Sequence, residues 1–319
     1  MKDFHSLLKK YLRKNSSFKA EIILLFIPLL LIGMYLSLRL LNKQLIKQVE
    51  LSTLLSTVKA SPVAPFPSLE TQYDPYLTAQ GAYVLDDSSK VALFSKSAGV
   101  RFSMASTTKL MTAIVALDYY KPNDILVRKE SNTEGTVVGF VQGERLYFDD
   151  LLYAMLLPSG NDAAFMIADN YPGGRGAFVQ KMNEKAAALN FYDTHFADPA
   201  GLDDDGNYTT AHDLAFLSSY VKHNDVIARV TSTKRRVIAN VEGDKEYDIS
   251  NLNKLLGTRG VTGLKTGSTH GAGEVLTTSM TDNGHSYIIV VMKSDNRFAD
   301  TESLLQYITG NITYFVPSF

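Results

Sequence analysis

Residues 104–117 read Met-Ala-Ser-Thr-Thr-Lys-Leu-Met-Thr-Ala-Ile-Val-Ala-Leu, a short polar start followed by a long apolar run. Residues three apart lie on one face of a helix, so Ser106 and Lys109 should project side by side. The apolar run predicts a buried helix that removes water from the Lys109 ammonium group. Such desolvation lowers the pKa of a lysine toward the range in which it can accept a proton. The stretch therefore predicts a serine nucleophile beside a lysine base.

The Ser-x-x-Lys spacing by itself is not specific. It occurs at four further places in the chain, namely Ser6/Lys9, Ser16/Lys19, Ser56/Lys59 and Ser219/Lys222. The match at Ser106 begins a long apolar helix that would bury and partly desolvate its lysine, and this context, rather than the spacing, singles out Ser106.

A second motif, Lys265-Thr266-Gly267, is the only Lys-Thr-Gly in the chain, and a strand signal follows it. A strand edge can offer backbone N–H groups to a ligand, and glycine allows the ligand to approach closely. The lysine and threonine supply a cation and a hydroxyl group that suit a carboxylate. An isolated match would more often mark a simple turn, because glycine is common in turns.

A third element, Ser159-Gly160-Asn161, lies between two apolar helical segments and would, if isolated, indicate a turn that joins helices. A literal Ser294-Asp295-Asn296 also occurs. Because that stretch follows Lys-Thr-Gly in the chain, we expect it to be a surface loop.

In this order, Ser106-x-x-Lys109, Ser159-Gly160-Asn161 and Lys265-Thr266-Gly267 resemble the three active-site motifs of penicillin-recognising serine enzymes. The Ser-Gly-Asn form resembles the low-molecular-mass penicillin-binding D-alanyl-D-alanine carboxypeptidases. Flanking stretches are also similar, so the resemblance covers roughly residues 78–310. It implies an α+β domain of the β-lactamase/transpeptidase-like fold, with an antiparallel sheet formed from both ends of the domain, flanking helices and a helical subdomain.

The resemblance also implies the catalytic roles. Ser106 would attack the carbonyl group between two D-alanines while Lys109 takes its proton. Ser159 would relay a proton to the departing amine, with Lys265 tuning the site. Water would then release the acyl group, so the enzyme would trim the terminal D-alanine from peptidoglycan stem peptides.

The same resemblance implies a substrate-binding set: Asn161, Lys265, Thr266, Gly267 and Ser268. Asn161 would hold the peptide group and Thr266 the terminal carboxylate. The backbone N–H groups of Ser106 and Ser268 would form the oxyanion hole. The reaction requires no metal or organic cofactor, and β-lactams, which mimic the dipeptide, would trap Ser106.

Two departures from the family pattern bear on the substrate side of the site. The chain reads Ala272-Gly273-Glu274-Val275 where the family commonly has Ala-Gly and then an aromatic residue, and Met104 replaces a frequent proline. Other activities also remain open: a β-lactamase, a D,D-endopeptidase, or a membrane-tethered penicillin-binding sensor without turnover. A β-lactamase is disfavoured because no Glu-x-x-x-Asn lies between the second and third motifs.

The rest of the domain alternates strand and helix signals. Hairpins are predicted over residues 82–94 and 275–292, the second around a turn signal, Thr-Asp-Asn-Gly-His. Helical patterns cover residues 149–155, 176–189 and 300–308. Strands at both ends with helices between them predict an α+β domain.

The N-terminal region carries a different signal. Residues 22–38 hold no charge, and the stretch extends far enough to predict a transmembrane signal anchor over residues 22–41. Six lysines and arginines precede it within residues 1–21, against three soon after it, so we expect a cytoplasmic N-terminus and an extracytoplasmic catalytic domain. Residues 42–75 are expected to be a stalk and proline-rich linker, and residues 76–319 the catalytic domain.

Composition narrows the remaining classes of function. The formal net charge is −1 and no basic stripe is present, which argues against a nucleic-acid partner. The chain has no cysteine, so thiolate chemistry and disulfides are excluded. Its six histidines are scattered without metal-ligand spacing, and we expect no metal site. The expected partners are the stem peptide ending in D-Ala-D-Ala, β-lactams, and the lipid bilayer at the N-terminal helix.

Overall fold

A computed structural model of the chain describes Ser6, Lys10 and residues 16–57, 65–130 and 132–315. The chain divides into two compact units, Met1–Val63 and Ala64–Phe319. Much of the basic segment predicted over residues 1–21 therefore lies outside the described residues.

Helix α1 (Ser16–Thr57) belongs to the first unit. Its segment Pro28–Val49 is long and apolar enough to cross a membrane, and none of it is buried inside the protein. The helix continues past residue 41, where the span was expected to end, into the predicted stalk. Leu41, Leu45 and Val49 follow one another at four-residue intervals, and this spacing favours a continuing helix.

Five strands form the central sheet of the second unit: β2 (Gly81–Asp86), β3 (Ala92–Lys96), β10 (Val261–Thr269), β11 (Gly273–Asp282) and β12 (His285–Ser294). The sheet is antiparallel with the order β10-β11-β12-β2-β3. Both predicted hairpins are confirmed, β2 with β3 and β11 with β12. Strand β12 pairs with β2, so the two ends of the domain share one sheet, as predicted.

The helices of this unit are a 3₁₀ turn (Ala105–Thr108), α2 (Lys109–Leu117), α3 (Phe148–Leu156), α4 (Asn161–Asn170), α5 (Gly174–Ala188), α6 (Ala211–Lys222), α7 (Asp225–Thr231) and α8 (Arg297–Ile308). The three helical patterns predicted from the sequence correspond to α3, α5 and α8. The α+β fold is therefore confirmed.

The sheet is buried on both faces because successive side chains of a strand point in opposite directions. On one face, Ile288 and Val290 of β12 belong to an apolar cluster shared with helices α2 to α7. On the other face, Ile289 and Val291 pack with Leu304 of α8. The larger cluster supports the helices that carry the predicted catalytic motifs.

Four short two-stranded ladders complete the unit. They pair β1 (Phe66–Leu69) with β13 (Ile312–Phe315), β4 (Arg101–Ser103) with β7 (Tyr208–Thr210), β5 (Ile125–Val127) with β6 (Arg145–Tyr147), and β8 (Arg235–Ala239) with β9 (Glu246–Ser250).

Strand β1 lies within residues 42–75, the segment predicted to be stalk and linker. The compact unit begins near Ala64, and Pro67 is a buried member of this strand, opposite Tyr314. Proline lacks an N–H group and is tolerated in an edge strand, which pairs on one side only. The proline-rich composition thus favoured a linker where the structure has a strand. The predicted start of the domain at residue 76 is about ten residues too late.

Candidate active site

The predicted nucleophile lies on a constrained turn at the start of α2. Ser106 is the second residue of the 3₁₀ turn, and the preceding Ala105 has a φ of 47°, in the left-handed region that non-glycine residues rarely occupy. Gly201, with a φ of 81°, packs beneath: a Cβ atom there would lie 1.9 Å from the Ala105 carbonyl oxygen. Only glycine fits at this position, and the close contact helps to hold the turn in place.

Lys109 forms the centre of the site. Its Nζ donates to Ser106 Oγ (2.8 Å), to Asn161 Oδ1 (2.7 Å) and to the Ala200 carbonyl (2.8 Å). The side chain is fully buried. Burial lowers its pKa to about 7, against the charges of Asp198 and Asp162, which raise it. A neutral Lys109 amine is therefore available near neutral pH to take the hydroxyl proton of Ser106.

A second buried lysine lies near the first. Lys265 of β10 is almost fully buried, and its Nζ donates to the Thr266 carbonyl (3.0 Å). Burial, followed by the positive charges of Lys109 and Arg297, holds its pKa well below the ordinary lysine value. The positive charge of Lys109 thus adds to burial in disfavouring the charged form of Lys265.

Ser159 lies in the turn between α3 and α4, with a φ of 68°. The side chain is buried, and its Oγ has no hydrogen-bond partner among the described residues. A buried hydroxyl group without a partner is costly and marks a place where a ligand or water can bind. The structure therefore leaves Ser159 Oγ free for a substrate, without a direct hydrogen bond to Ser106 or either lysine.

Asn161 is the first residue of α4 and joins three parts of the site. Its Oδ1 accepts from Lys109, its Nδ2 donates to the Glu134 carbonyl (2.7 Å), and its backbone N–H donates to the Thr136 carbonyl (2.7 Å). The loop around Glu134 and Thr136 is thereby fixed next to the base.

Strand β10 forms the opposite wall, because its free edge faces the nucleophile turn. A Cβ atom on Gly267 would lie 3.0 Å from both the Ser106 nitrogen and Ala105 Cβ. Thr266 is buried and Ser268 is exposed. The Lys-Thr-Gly motif is therefore part of a strand against Ser106, and the three sequence motifs meet in one place.

Sequence reasoning missed Arg297, which opens α8. Its Nη1 donates to the Gly267 carbonyl (2.7 Å), and its backbone N–H donates to Glu274 Oε2 (2.9 Å). Its Nε is buried and without a hydrogen-bond partner in the part of the chain described. Glu274, the departure noted in the sequence, thus supports the first turn of α8 instead of entering the site. Arg297 could be predicted from the sequence only if the pairing of β10, β11 and β12 were known, because that pairing brings the chain after β12 close to β10.

One other prediction, that Ser294-Asp295-Asn296 is a surface loop, can be compared with the structure. Ser294-Asp295-Asn296 is not a surface loop throughout, because Ser294 is buried and donates to Asp300 Oδ2 (2.5 Å). Asn296 is the N-cap of α8 and accepts from Ala299 N–H (3.1 Å). This stretch is a structural connection between strand and helix.

The described residues contain no group of three or more His, Cys, Asp or Glu side chains that could hold a metal ion. The chemistry available at the site is that of a hydroxyl group, two buried amines, and hydrogen-bond donors aimed at an open strand edge. Such a set is suited to acyl transfer through a serine ester.

Comparisons with known proteins agree with this chemistry. The family model Peptidase S11, D-alanyl-D-alanine carboxypeptidase, matches residues 69–296. A D-alanyl-D-alanine endopeptidase of Pseudomonas aeruginosa is 30% identical over 282 residues, which cover 85% of this chain and 91% of the relative. A D-alanyl-D-alanine carboxypeptidase of Streptomyces sp. strain K15 is 31% identical over 255 residues, 73% of this chain and 88% of the relative.

Among solved structures, the crystal structure of the Streptomyces K15 DD-transpeptidase is similar with a TM-score of 0.69. It is 29% identical, and the match covers 74% of this chain and 98% of that one.

Proposed function

Because the chain belongs to the D-alanyl-D-alanine carboxypeptidase family, peptidase S11, and is a serine-type D-Ala-D-Ala carboxypeptidase, we propose that Ser106 is its nucleophile and Lys109 its base. One observation carries this assignment. Lys109 Nζ lies 2.8 Å from Ser106 Oγ, and burial lowers the pKa of that amine to about 7. A base with a pKa near the working pH is the most effective kind.

Acylation follows from this pair. The Ser106 oxygen attacks the carbonyl carbon between the two D-alanines as Lys109 takes the hydroxyl proton. The C–N bond then breaks, and the nitrogen leaves as the amine of free D-alanine once it has received a proton. Ser159, whose hydroxyl group is buried and unpartnered among the described residues, is the group we assign to relay that proton. Water subsequently hydrolyses the ester on Ser106.

Strand β10 would hold the terminal D-alanine. Thr266 offers a hydroxyl group, Lys265 offers an amine donor, and the Arg297 guanidinium supplies positive potential for a carboxylate. Arg297 Nε, which is buried and has no hydrogen-bond partner among the described residues, supports this assignment, because such a donor favours an anion. Gly267 keeps the strand close to the nucleophile.

The oxyanion hole is assigned to the backbone N–H groups of Ser106 and Ser268, with Asn161 holding the peptide group of the donor. Donors fixed before the reaction stabilise the developing negative charge without reorganisation. A β-lactam presents a carbonyl group and a carboxylate in the same places, and would acylate Ser106 in place of the peptide.

The decisive assay uses the full-length chain in detergent and a pentapeptide ending in D-Ala-D-Ala. Carboxypeptidase action releases one D-alanine per tetrapeptide formed, and Ser106→Ala abolishes that release. Release of D-alanine that persists in this variant would show that another residue is the nucleophile.

A second candidate activity is a D,D-endopeptidase, because the Pseudomonas aeruginosa relative that aligns with 85% of this chain has that name. The same preparation should therefore also be given a cross-linked peptide dimer and, separately, an added amine acceptor. Faster cleavage of the dimer than of the pentapeptide would assign the endopeptidase activity, and mostly acceptor-coupled product would assign a transpeptidase.

For localisation, we propose that α1 anchors the chain in the cytoplasmic membrane with the N-terminus inside. The segment Pro28–Val49 has sufficient length and hydropathy, and lysines and arginines are denser before it than after it. Protease added to spheroplasts should then release the second unit from the outside. If the protease cannot reach that unit until the cells are lysed, both the proposed orientation and the proposed cell-wall substrate are wrong.

A further inference from the structure

A cleft of about 690 Å³ lies outside the serine–lysine centre, along the loop that follows β5. Its lining residues include Arg128, Thr133, Glu134, Val137, Phe140 and Asp162. Val137 and Phe140 provide apolar wall, and the other four are polar. The cleft is large enough to hold one or two amino-acid side chains of a peptide ligand.

Arg128 forms the cationic part of this cleft. Its side chain is almost fully buried, and Nη2 donates to Thr133 Oγ1. Nε and Nη1 are buried without a hydrogen-bond partner among the described residues, and within that part of the chain no carboxylate forms an ion pair with Arg128. A guanidinium group keeps its charge at any working pH, so a buried one without a counter-ion favours binding of an anion.

Two carboxylates share the wall and do not supply that counter-ion. Asp162 accepts from the backbone N–H groups of Val138 (3.0 Å), Gly139 (2.8 Å) and Phe140 (3.2 Å), which compensate its charge. Glu134 is exposed, at the rim of the cleft. The unpaired donors of Arg128 are therefore left for an external group.

The cleft is joined to the catalytic centre through Asn161. The Glu134 carbonyl accepts from Asn161 Nδ2, and Asn161 Oδ1 accepts from Lys109. Gly135, with a φ of 80°, brings the loop so close that a Cβ atom there would lie 2.7 Å from Asn161 Nδ2. A bound peptide that extends from Ser106 past Asn161 would therefore reach the loop that lines the cleft.

We propose that Arg128 is a specificity-determining residue that binds a carboxylate of the donor peptide, on one of the two residues before D-Ala-D-Ala. This inference rests on the proposed function. The terminal carboxylate is assigned to the β10 side, around Thr266 and Arg297, so the rest of the donor extends the other way, past Asn161. Paired N–H groups of a guanidinium match the two oxygens of a carboxylate.

The test compares pentapeptides that end in D-Ala-D-Ala and differ only by glutamate or glutamine at either of the two preceding residues. With the full-length enzyme we expect kcat/KM for the glutamate peptide to exceed that for its glutamine partner by about 10- to 100-fold at one of the positions. Arg128→Gln should bring the ratio close to one, and Arg128→Lys should give an intermediate ratio. Arg145→Gln is the matched control, because Arg145 is half-exposed and pairs with Glu242, so the ratio should stay as in the unmodified enzyme.

A purely structural role for Arg128 would weaken all peptides alike and leave the ratio unchanged, which would overturn the proposal. Arg128→Glu sharpens the distinction, since it should reverse the preference toward a peptide with lysine at the same position. A ratio near one at both positions in the unmodified enzyme would also overturn it, whatever the variants do.

Failure of the proposed function is separable from failure of this inference. If neither peptide is hydrolysed, the assigned activity is wrong, and the preference is read instead from how strongly each peptide slows the labelling of the enzyme by fluorescent penicillin. Stronger protection by the glutamate peptide that disappears in Arg128→Gln supports the carboxylate site. Equal protection by both peptides contradicts it.

Discussion

The two Ser-x-x-Lys matches of the second unit, Ser106/Lys109 and Ser219/Lys222, have opposite electrostatic surroundings. At Ser106 and Lys109, the amine is fully buried and bonds to neutral oxygens only. At Ser219 and Lys222, both side chains donate to the buried carboxylate of Asp87, at 2.6 Å and 2.8 Å. The same spacing is therefore found with a buried lysine of lowered pKa in one place and with an ion-pair cluster in the other, and the carboxylate of Asp87 makes the difference.

The Asp87 cluster is fully compensated. Lys90 Nζ (3.0 Å) and His223 Nε2 (3.0 Å) also lie against the carboxylate. Burial opposes its ionisation, but the hydrogen bonds from Lys222, Ser219 and Lys90 together lower the pKa of Asp87 to about 2. The cluster fastens the β2–β3 hairpin to α6.

The largest expected difference between the two matches is in covalent labelling. Ser106→Ala should abolish labelling by fluorescent penicillin, because the acyl-accepting oxygen is gone, while Ser219→Ala should remain labelled. Gel fluorescence of the purified full-length variants measures this. Persistent labelling of the Ser106 variant, or its loss in the Ser219 variant alone, would mean that the wrong serine was assigned.

The next comparison replaces each lysine by arginine, which keeps the charge but cannot accept a proton near neutral pH. Lys109→Arg should lower the acylation rate by about 10² to 10⁴, the usual contribution of a positioned general base. Lys222→Arg keeps its ion pair with Asp87 and should acylate at nearly the normal rate. Stopped-flow acylation kinetics distinguish the two, and equal rates for both variants would assign the base elsewhere.

Asn161→Asp would place a carboxylate in direct contact with Lys109, since Asn161 Oδ1 is 2.7 Å from Nζ. In the unmodified enzyme, the acylation rate should rise with pH through about 7, as Lys109 loses its proton, and then level off. An adjacent carboxylate should raise the pKa of the amine by about one to three units.

The rate of this variant at pH 7 should then fall by roughly tenfold or more and recover on the alkaline side. A loss that is equal at every pH would instead indicate damage to substrate binding. The pH profile of acylation therefore separates the two explanations.

The smallest predicted effect is on stability and not on chemistry. Asp87→Asn would leave Lys222 and Lys90 without their counter-charge and should lower the free energy of unfolding by about 2–4 kcal/mol. Because the pKa of Asp87 is depressed in the fold, its contribution is fully present above pH 3.8 and is lost as the pH falls toward 2. The difference between variant and unmodified protein in denaturant titrations should shrink over that interval, while penicillin acylation at pH 7 remains normal.

The sequence could predict those parts of the fold that depend on patterns of neighbouring residues. The hairpins and the helix after Ser106 follow from periodicity and turn residues over a dozen positions or fewer. The pairing of β2 with β12 required only the idea that strands at both ends share a sheet. The burial of Lys109 could be predicted from the apolar run beside it.

What the sequence could not reveal depends on contacts between distant residues. Arg297 reaches the Gly267 carbonyl only because β11 and β12 form a hairpin that returns the chain to β10. The orphaned donors of Arg128 are visible only once burial and partners are known. Strand β1 was hidden because Pro67 signals a linker, and only the distant β13 makes it a strand.

The β1–β13 ladder determines how the second unit would respond if the chain before residue 66 were held in a membrane. Phe66 is opposite Phe315 and Leu69 is opposite Ile312, so four residue pairs with β13 hold β1 to the second unit. Beyond it, the backbone N–H groups of Thr78 and Ala79 bind the carboxylate of Asp300 (2.9 and 2.8 Å), a firmer stop. Opening residues 66–77 would add about 40 Å of reach while the five-stranded sheet stays intact. Opening this ladder would therefore lengthen the chain segment that leads into the second unit without removing a strand from the sheet that carries Lys265.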